Sequence, residues 1–380
     1  MGFLITQRFC LSLFLLLSLS NASLAENRRA PKHPGAAPRI SALRDFTVET
    51  VEFASGADGG ISASLPLVGA HRRLRLEPIS LRSASFQVLI PNPDGSLRPH
   101  AAESPRTFRG EIEGNPGARV AATMRAGKLS ASVALDDGTL WHVQPLGDVS
   151  TVAADPDDYL VYRDDDVIRE SGGCDAGGER NLRALELDRA APMNGVAGAS
   201  GGWKVADIAF DTDVEFFFLN GNSVANTVAD IEDVMNGVAM IYEDELNITY
   251  EITTIIVRTT EPDPYSATLA ADLLNQFRST WNANFQEIHR DITHLMTGKA
   301  LNNGVLGTAN TDVMCDVCGS GDAFGLSRSR FSSVMGERVF LTAHEIGHGW
   351  GASHCNEEAD CGIMCSMRSW ATIPASPACG

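Results

Sequence analysis

Beyond its first 25 residues, the chain of 380 residues lacks a long apolar stretch. A membrane-spanning helix needs about 20 consecutive apolar residues, and no later stretch approaches ~18 without a charged residue. This absence argues against a membrane-spanning helix after position 25. We therefore expect the processed protein to be soluble and to carry no membrane anchor.

Basic residues are also scarce, since 30 lysines and arginines stand against 48 aspartates and glutamates, for a formal charge of −18. From Trp203 onward roughly 24 acidic residues face about 9 basic ones, so nearly all of the excess lies in the C-terminal part. A surface of this sign repels phosphate backbones and anionic lipids. Nucleic acid and anionic membranes are therefore not expected partners.

Calcium-binding motifs are absent as well. The sequence contains no D-x-D-x-D-G loop and no glycine-aspartate nonapeptide array, which are two common arrangements for Ca²⁺ binding. Ca²⁺ binding by other carboxylates is possible but has no support in the sequence.

The first 25 residues have the layout of a secretory signal peptide. Arg8 supplies a short positive region, residues 9–19 are nearly all apolar, and Ser23 and Ala25 place small residues just before Glu26. An N-terminal anchor is the alternative, but this cleavage pattern follows the apolar run directly. We predict a signal peptide at residues 1–25 and a secreted protein, extracellular or periplasmic, that is a monomer.

The remaining chain divides into three zones. Residues 26–170 show strand-like alternation with turn signals such as Asp137-Gly138, which predicts a β-rich domain. Residues 171–202 are rich in Gly, Ala and Ser and are predicted to form a flexible, protease-sensitive linker. Residues 203–380 alternate strands with helices, which predicts an α/β (α+β) domain with a mixed sheet and long helices packed on it.

Periodicity locates the elements of this third zone. Apolar residues at intervals of three and four predict helices over residues 223–246 and 266–281. Strands are predicted at residues 203–210, 248–257 and 291–298.

The stretch HEIGHGWGASH, residues 344–354, has the spacing of a metal site. His344 and His348 lie one helical turn apart on the same face, with Glu345 beside them. Gly351 can end the helix by adopting a positive φ, and the turn then brings His354 back as a third ligand. Three imidazoles with one open position predict one catalytic Zn²⁺ in a cleft, since a structural site would use four protein ligands.

With the segment Gly362-Ile363-Met364 that follows, this motif resembles the metzincin zinc endopeptidases. The resemblance is greatest to the reprolysin/adamalysin (ADAM-type) branch. Residues 109–146 resemble the propeptide of that family, which implies that residues 26–170 are a propeptide. The resemblance implies that Met364 packs beneath the imidazoles in a Met-turn and that Glu345 is the catalytic base. It also predicts a substrate-binding edge strand around residues 305–309. Two departures are Cys355, where the family usually has Asp, and the absence of any tyrosine after residue 265. A tyrosine zinc ligand of the astacin or serralysin kind is therefore missing.

Six cysteines lie in the last ~66 residues, which predicts a disulfide framework in an exported chain. Fifteen pairings are possible, and the sequence does not choose among them. The candidates are Cys315, Cys318, Cys355, Cys361, Cys365 and Cys379.

Cys174 stands apart from those six, in the glycine-rich segment SGGCDAGGER. In proteases of the ADAM and matrix types, a propeptide cysteine occupies the open zinc position and keeps the enzyme latent. The resemblance therefore implies that Cys174 is a zymogen zinc ligand, released by cutting near Arg180, Arg183 or Arg189. The alternatives are an unpaired thiol or one that links two chains.

Together these features predict a secreted zinc-dependent endopeptidase that is made as a latent zymogen and acts on proteins or peptides. Two alternatives stay open. One is a zinc hydrolase with a non-peptide substrate, and the other is a non-catalytic binding protein that retains the fold.

Overall fold

The computed structural model describes residues 40–150, 155–168, 203–317, 321–352 and residue 354. All of them belong to one unit, Ile40–Gly380. The predicted signal peptide, the linker with Cys174, Met364 and the cysteines other than Cys315 lie outside the described residues. Among the described helices, none is long and apolar enough to span a membrane.

Residues 40–168, which we call the N-terminal part, are rich in β-structure, in agreement with the sequence pattern. Nine of its strands form an antiparallel sheet in the order β1-β11-β10-β9-β8-β7-β4-β3-β2. The strands of this part are β1 Thr47–Thr50, β2 Glu52–Ser55, β3 Ile61–Leu67, β4 Ala70–Ile79, β5 Arg82–Pro91, β6 Leu97–His100, β7 Thr107–Ile112, β8 Asn115–Arg125, β9 Lys128–Ala134, β10 Leu140–Pro145 and β11 Asp158–Arg163.

Alternation of small or apolar residues with polar ones explains this sheet. In β3, Ile61, Ala63 and Leu65 are buried, while the side chains between them are exposed or half-buried. The predicted Asp137-Gly138 turn joins β9 and β10, where Gly138 adopts a φ of 81°. That left-handed conformation costs glycine little, so a tight connection forms there.

The remaining described residues, 203–317, 321–352 and 354, form the C-terminal part. Its strands are β12 Lys204–Thr212, β13 Ile248–Ile256, β14 Ile292–Met296, β15 Gly307–Ala309 and β16 Phe324–Ser327. They lie in a seven-stranded mixed sheet of order β15-β16-β14-β12-β13-β5-β6. Strands β12, β13, β14 and β16 run parallel, and β15 pairs antiparallel with β16 at one edge.

Four helices accompany this sheet: α1 Val214–Leu219, α2 Val224–Leu246, α3 Ala270–Asn284 and α4 Met335–Gly349. The α2 helix begins after Ser223, whose hydroxyl accepts a hydrogen bond from the Asn226 amide, so the prediction of a helix over residues 223–246 is confirmed. The α3 helix begins four residues later than predicted. The reason is that the Gln276 side chain binds the preceding loop, through the Ala267 amide and the Ser266 hydroxyl.

Strands β5 and β6 belong to the N-terminal part in sequence but lie in the sheet of the C-terminal part. The β5 strand pairs parallel with β13, and β6 pairs antiparallel with β5. Strand periodicity alone does not indicate this placement, because alternation says which side chains are buried but not which sheet a strand joins. The two parts therefore share one sheet.

Candidate metal centre

The α4 helix carries two of the three candidate ligands. His344 and His348 are both buried, 8% and 1% exposed, on the helix face that also bears Phe340. The helix ends at Gly349, and Gly351 adopts a φ of 86° immediately after it. The Gly351 amide donates to the His348 carbonyl at 2.8 Å, which closes the turn and reverses the chain toward His354.

The three imidazoles meet at their Nε2 atoms. The Nε2 atoms of His344 and His354 lie 3.1 Å apart, and that of His348 lies 3.2 Å from each of the other two. Nitrogen ligands at 2.0–2.1 Å from a tetrahedral zinc ion are about 3.3–3.4 Å apart. The triangle therefore approximates one face of such a tetrahedron, and the residues fit the metal.

The chemistry of the rings also suits a cation. The Nδ1 of His348 lies 2.8 Å from the Ala352 carbonyl, which can only accept, so Nδ1 carries the proton and Nε2 keeps a lone pair. Burial lowers the pKa of His348 to about 3, with His344 and His354 adding to the effect, and burial also lowers the pKa of His354. Both rings are neutral at pH 7, as metal ligands must be.

Glu345 lies on the same helix, one residue after His344, and is fully buried. Its carboxylate faces Gly307 at the start of β15. A Cβ atom added to Gly307 would lie 2.4 Å from Oε1 of Glu345 and 2.6 Å from its Cδ. Only glycine leaves room for the carboxylate there. Sequence analysis did not identify Gly307, although a glycine inside a predicted edge strand is a signal of close approach.

The edge strand predicted around residues 305–309 corresponds to β15, Gly307–Ala309, which is at the edge of the described sheet. Among the described residues it pairs with β16 on one side. The α4 helix contacts both strands. The edge strand β15, Glu345 and the three histidines therefore lie close to one another.

Neighbouring elements hold α4 from several sides. The Tyr242 hydroxyl of α2 donates to the Ala343 carbonyl at 2.9 Å, and the Trp350 indole donates to the Tyr250 hydroxyl at 2.8 Å. Asp230 of α2 accepts two hydrogen bonds from the Arg338 guanidinium, at 2.6 and 3.1 Å. The His348 carbonyl accepts from the Asp312 amide at 2.9 Å. These contacts orient the helix relative to the sheet.

Cys315 lies three residues after Asp312 and takes part in a disulfide bond. Its partner lies outside the described residues. Met364, Cys174 and the other candidate cysteines lie outside them too. Their predicted roles stay predictions.

A second group of acidic side chains, Glu215, Glu261 and Asp263, also lies close together. Several of its oxygens are engaged within the protein, since Glu215 contacts the Lys299 ammonium and Asp263 accepts from the amides of Val214 and Tyr265. Exposed acidic groups often lie close together without an ion, so this group adds no support for Ca²⁺.

Comparison with known proteins gives one family match. Residues 203–379 match the family model Reprolysin_5, described as "Metallo-peptidase family M12". No curated protein matches the chain. A solved structure titled "Structure of a chaperone-substrate complex" shares 16% identity and covers 41% of this chain with a TM-score of 0.32, while this chain spans 24% of its length. That likeness is too weak to carry an argument. The C-terminal part of the chain is thus similar to the M12 metallo-peptidases, which supports a metalloprotease.

Proposed function

We propose that the protein is a secreted, zinc-dependent endopeptidase that is made as a latent zymogen. The observation that carries this proposal is the triangle of Nε2 atoms from His344, His348 and His354, with Glu345 on the same helix. The family match over residues 203–379 supports the same reaction.

In this proposal His344, His348 and His354 hold one Zn²⁺. When bound there, the ion would lower the pKa of water at its open position to about 7 and polarise the carbonyl of the scissile bond. Glu345 accepts the proton of the attacking water and passes it to the nitrogen of the leaving amine. Burial of the carboxylate beside Gly307 holds it at one place, so little reorganisation is needed during the reaction.

The edge strand β15 offers a place for the substrate. An extended peptide can add to such an edge through main-chain hydrogen bonds. In that position its backbone would run beside Glu345, because β15 begins at Gly307, directly opposite the carboxylate. We therefore infer a protein or peptide substrate bound in an extended conformation.

The test of this function is digestion of a peptide library by the secreted protein, with and without a chelator. Cleavage that disappears on chelation and returns with Zn²⁺ supports the proposal. Zinc binding without cleavage of any peptide would instead favour a hydrolase with another substrate or a non-catalytic binding protein.

Replacing Gly307 by alanine should lower kcat/KM for a peptide by about 100-fold, because the methyl group would displace the Glu345 carboxylate by about 1 Å or more. Zinc content should stay at one ion per chain. Gly147→Ala is the matched control, since a methyl group there meets no atom within 4 Å. Equal activity of the two variants would show that Glu345 does not depend on Gly307.

Replacing Cys174 by alanine should make the uncut protein active. A thiolate at the open zinc position excludes water, so its removal should let the full-length chain cleave a peptide at a rate near that of the cut enzyme. The measurement is peptide hydrolysis by the intact chain, checked by gel, in parallel with the wild type. If the variant stays as inactive as uncut wild type, Cys174 is not the source of latency.

A further inference from the structure

The N-terminal part completes the sheet of the C-terminal part. The Ile252 amide donates to the Leu81 carbonyl at 2.7 Å, and the Val257 amide donates to the Leu89 carbonyl at 2.9 Å. Val88 is buried in the core that includes α2, and Leu89 is buried in the core that includes α3. Because β5 supplies side chains to both faces of the sheet, it is an inner strand that both cores need.

The N-terminal part also caps the helix that carries the metal ligands. Val334, the N-cap residue of α4, provides no capping side chain. Instead the Met335 amide donates to the Gln144 Oε1 at 2.9 Å, and the Gly336 amide donates to the Tyr162 hydroxyl at 3.2 Å. These bonds satisfy two of the four amides that a helix leaves unpaired at its start. The start of α4 is therefore held by β10 and β11.

The caps themselves are fixed by further buried contacts. The Tyr162 hydroxyl donates to Gln144 Oε1 at 2.9 Å, and the Gln144 side-chain amide donates to the Ser333 carbonyl at 3.0 Å. Val334 packs in an apolar cluster with Leu43, Leu160 and Tyr162 of the N-terminal part. Without the N-terminal part, this end of α4 would lose its caps and its apolar cover.

Charge complementarity joins the same two parts along α2. Arg82 pairs with Glu232 at 2.5 Å and Arg109 pairs with Glu243 at 3.2 Å. Arg109 also donates to Asn236 of the same helix. Three arginines of the N-terminal part thus face an acidic side of α2, since Arg125 contacts this helix as well.

Arg125 has the most buried partners of the three, Asp230 at 3.2 Å and Asp233 at 3.3 Å. Asp230 also pairs with Arg338 and Arg330 of the C-terminal part. For Asp233, burial raises the pKa to about 7, and Arg125 is the main group that opposes this rise. Removing one partner of a buried ion pair is strongly destabilising, because it leaves the other charge buried without compensation.

We propose that the N-terminal part stays bound to the C-terminal part as a structural subunit after the chain is cut between residues 169 and 202, and that α4 holds its metal only in this complex. The sheet order allows this, because β5 and β15 lie on opposite sides of the central strands β12 and β14. A subunit docked along β13 therefore does not pair with the edge strand β15. The proposal concerns association and metal binding, so it does not require the proposed peptidase activity.

The test uses the full chain with a recognition sequence for a specific protease inserted between Gly201 and Gly202, in an E345Q background to prevent self-digestion. After the cut, size-exclusion chromatography at low and high salt should show both fragments in one peak with zinc, and urea should separate them. The C-terminal fragment alone, after removal of urea, should fail to recover zinc until the N-terminal fragment is added. Separation of the fragments in native buffer, or a lone C-terminal fragment with one zinc per chain, overturns the proposal.

A charge exchange tests whether the contact between the N-terminal arginines and the acidic side of α2 holds the two fragments together. Arg109→Glu should lower the urea concentration at which the cut fragments separate, and adding Glu243→Arg should restore it. Arg75→Glu is the control, since Arg75 is exposed and its carboxylate partner, Glu77, lies in the N-terminal part itself. An unchanged separation midpoint in Arg109→Glu would also overturn the proposal, because the docking surface would then lie elsewhere.

Discussion

Glu345→Gln should leave the protein folded and loaded with zinc while lowering kcat for a peptide by about 10²–10⁴-fold, the usual contribution of a general base. The amide has nearly the same shape as the carboxylate, so the fit against Gly307 is kept. It cannot accept the proton of the attacking water. The loss should therefore be in kcat, with KM almost unchanged.

The measurement is steady-state peptide hydrolysis by cut enzyme, together with zinc content and thermal unfolding of the same samples. Glu287→Gln, the same chemical change at an exposed position just after α3, is the matched control and should behave as wild type. Full activity of Glu345→Gln would refute the assignment of Glu345 as the base. Loss of zinc in this variant would mean that the carboxylate supports the metal site instead.

His348→Ala should abolish both zinc binding and activity. His348 is the most buried ligand that α4 supplies, and its ring is held by the hydrogen bond from Nδ1 to the Ala352 carbonyl. Removing a group that hydrogen-bonds to a metal ligand costs about 10–100-fold in metal affinity, so removing the ligand itself should cost more. Two imidazoles would remain, which is too few for a stable zinc site.

Stability gives a second readout of the same change. A metal that binds only the folded protein raises its free energy of unfolding, so a chelator should lower the Tm of the wild type. The Tm of His348→Ala should not respond to chelator or to added zinc. His71→Ala, at an exposed position of strand β4, should keep the wild-type response. Retention of one zinc per chain by His348→Ala would contradict the proposed ligand set.

Sequence patterns located several elements well because the signals are local. The apolar stripe of α2 and its Ser223 cap lie within one segment, so the helix bounds were predicted to within a residue. The edge strand β15 was also located, from the resemblance of residues 291–315 to the reprolysin/adamalysin branch. The start of α3 was missed because a side chain from within the helix, Gln276, folds back on the preceding loop. The helix propensities of the residues do not predict such a contact.

The placement of β5 could not be predicted, since its partner is distant in the sequence. Gln87 of β5 hydrogen-bonds to Thr254 of β13, which lies 167 residues away. The apolar residues of β5 could be buried in either sheet. Which sheet β5 joins depends on which sheet edge provides an apolar core on each of its two faces. The capping of α4 by Gln144 and Tyr162 could not be predicted either. The start of α4 has no capping side chain of its own, and both capping residues are distant in the sequence.

The amino-acid sequence by itself determined that His344, Glu345 and His348 share one helical turn and that Gly351 follows at the spacing of a chain reversal. It could do so because helix periodicity and the freedom of glycine act over a few residues. Only the tertiary structure decided that the three Nε2 atoms meet, that Gly307 faces Glu345 and that the N-terminal part supports the ligand-bearing helix. Those are contacts between segments far apart along the chain, and the packing of whole sheets and helices determines them.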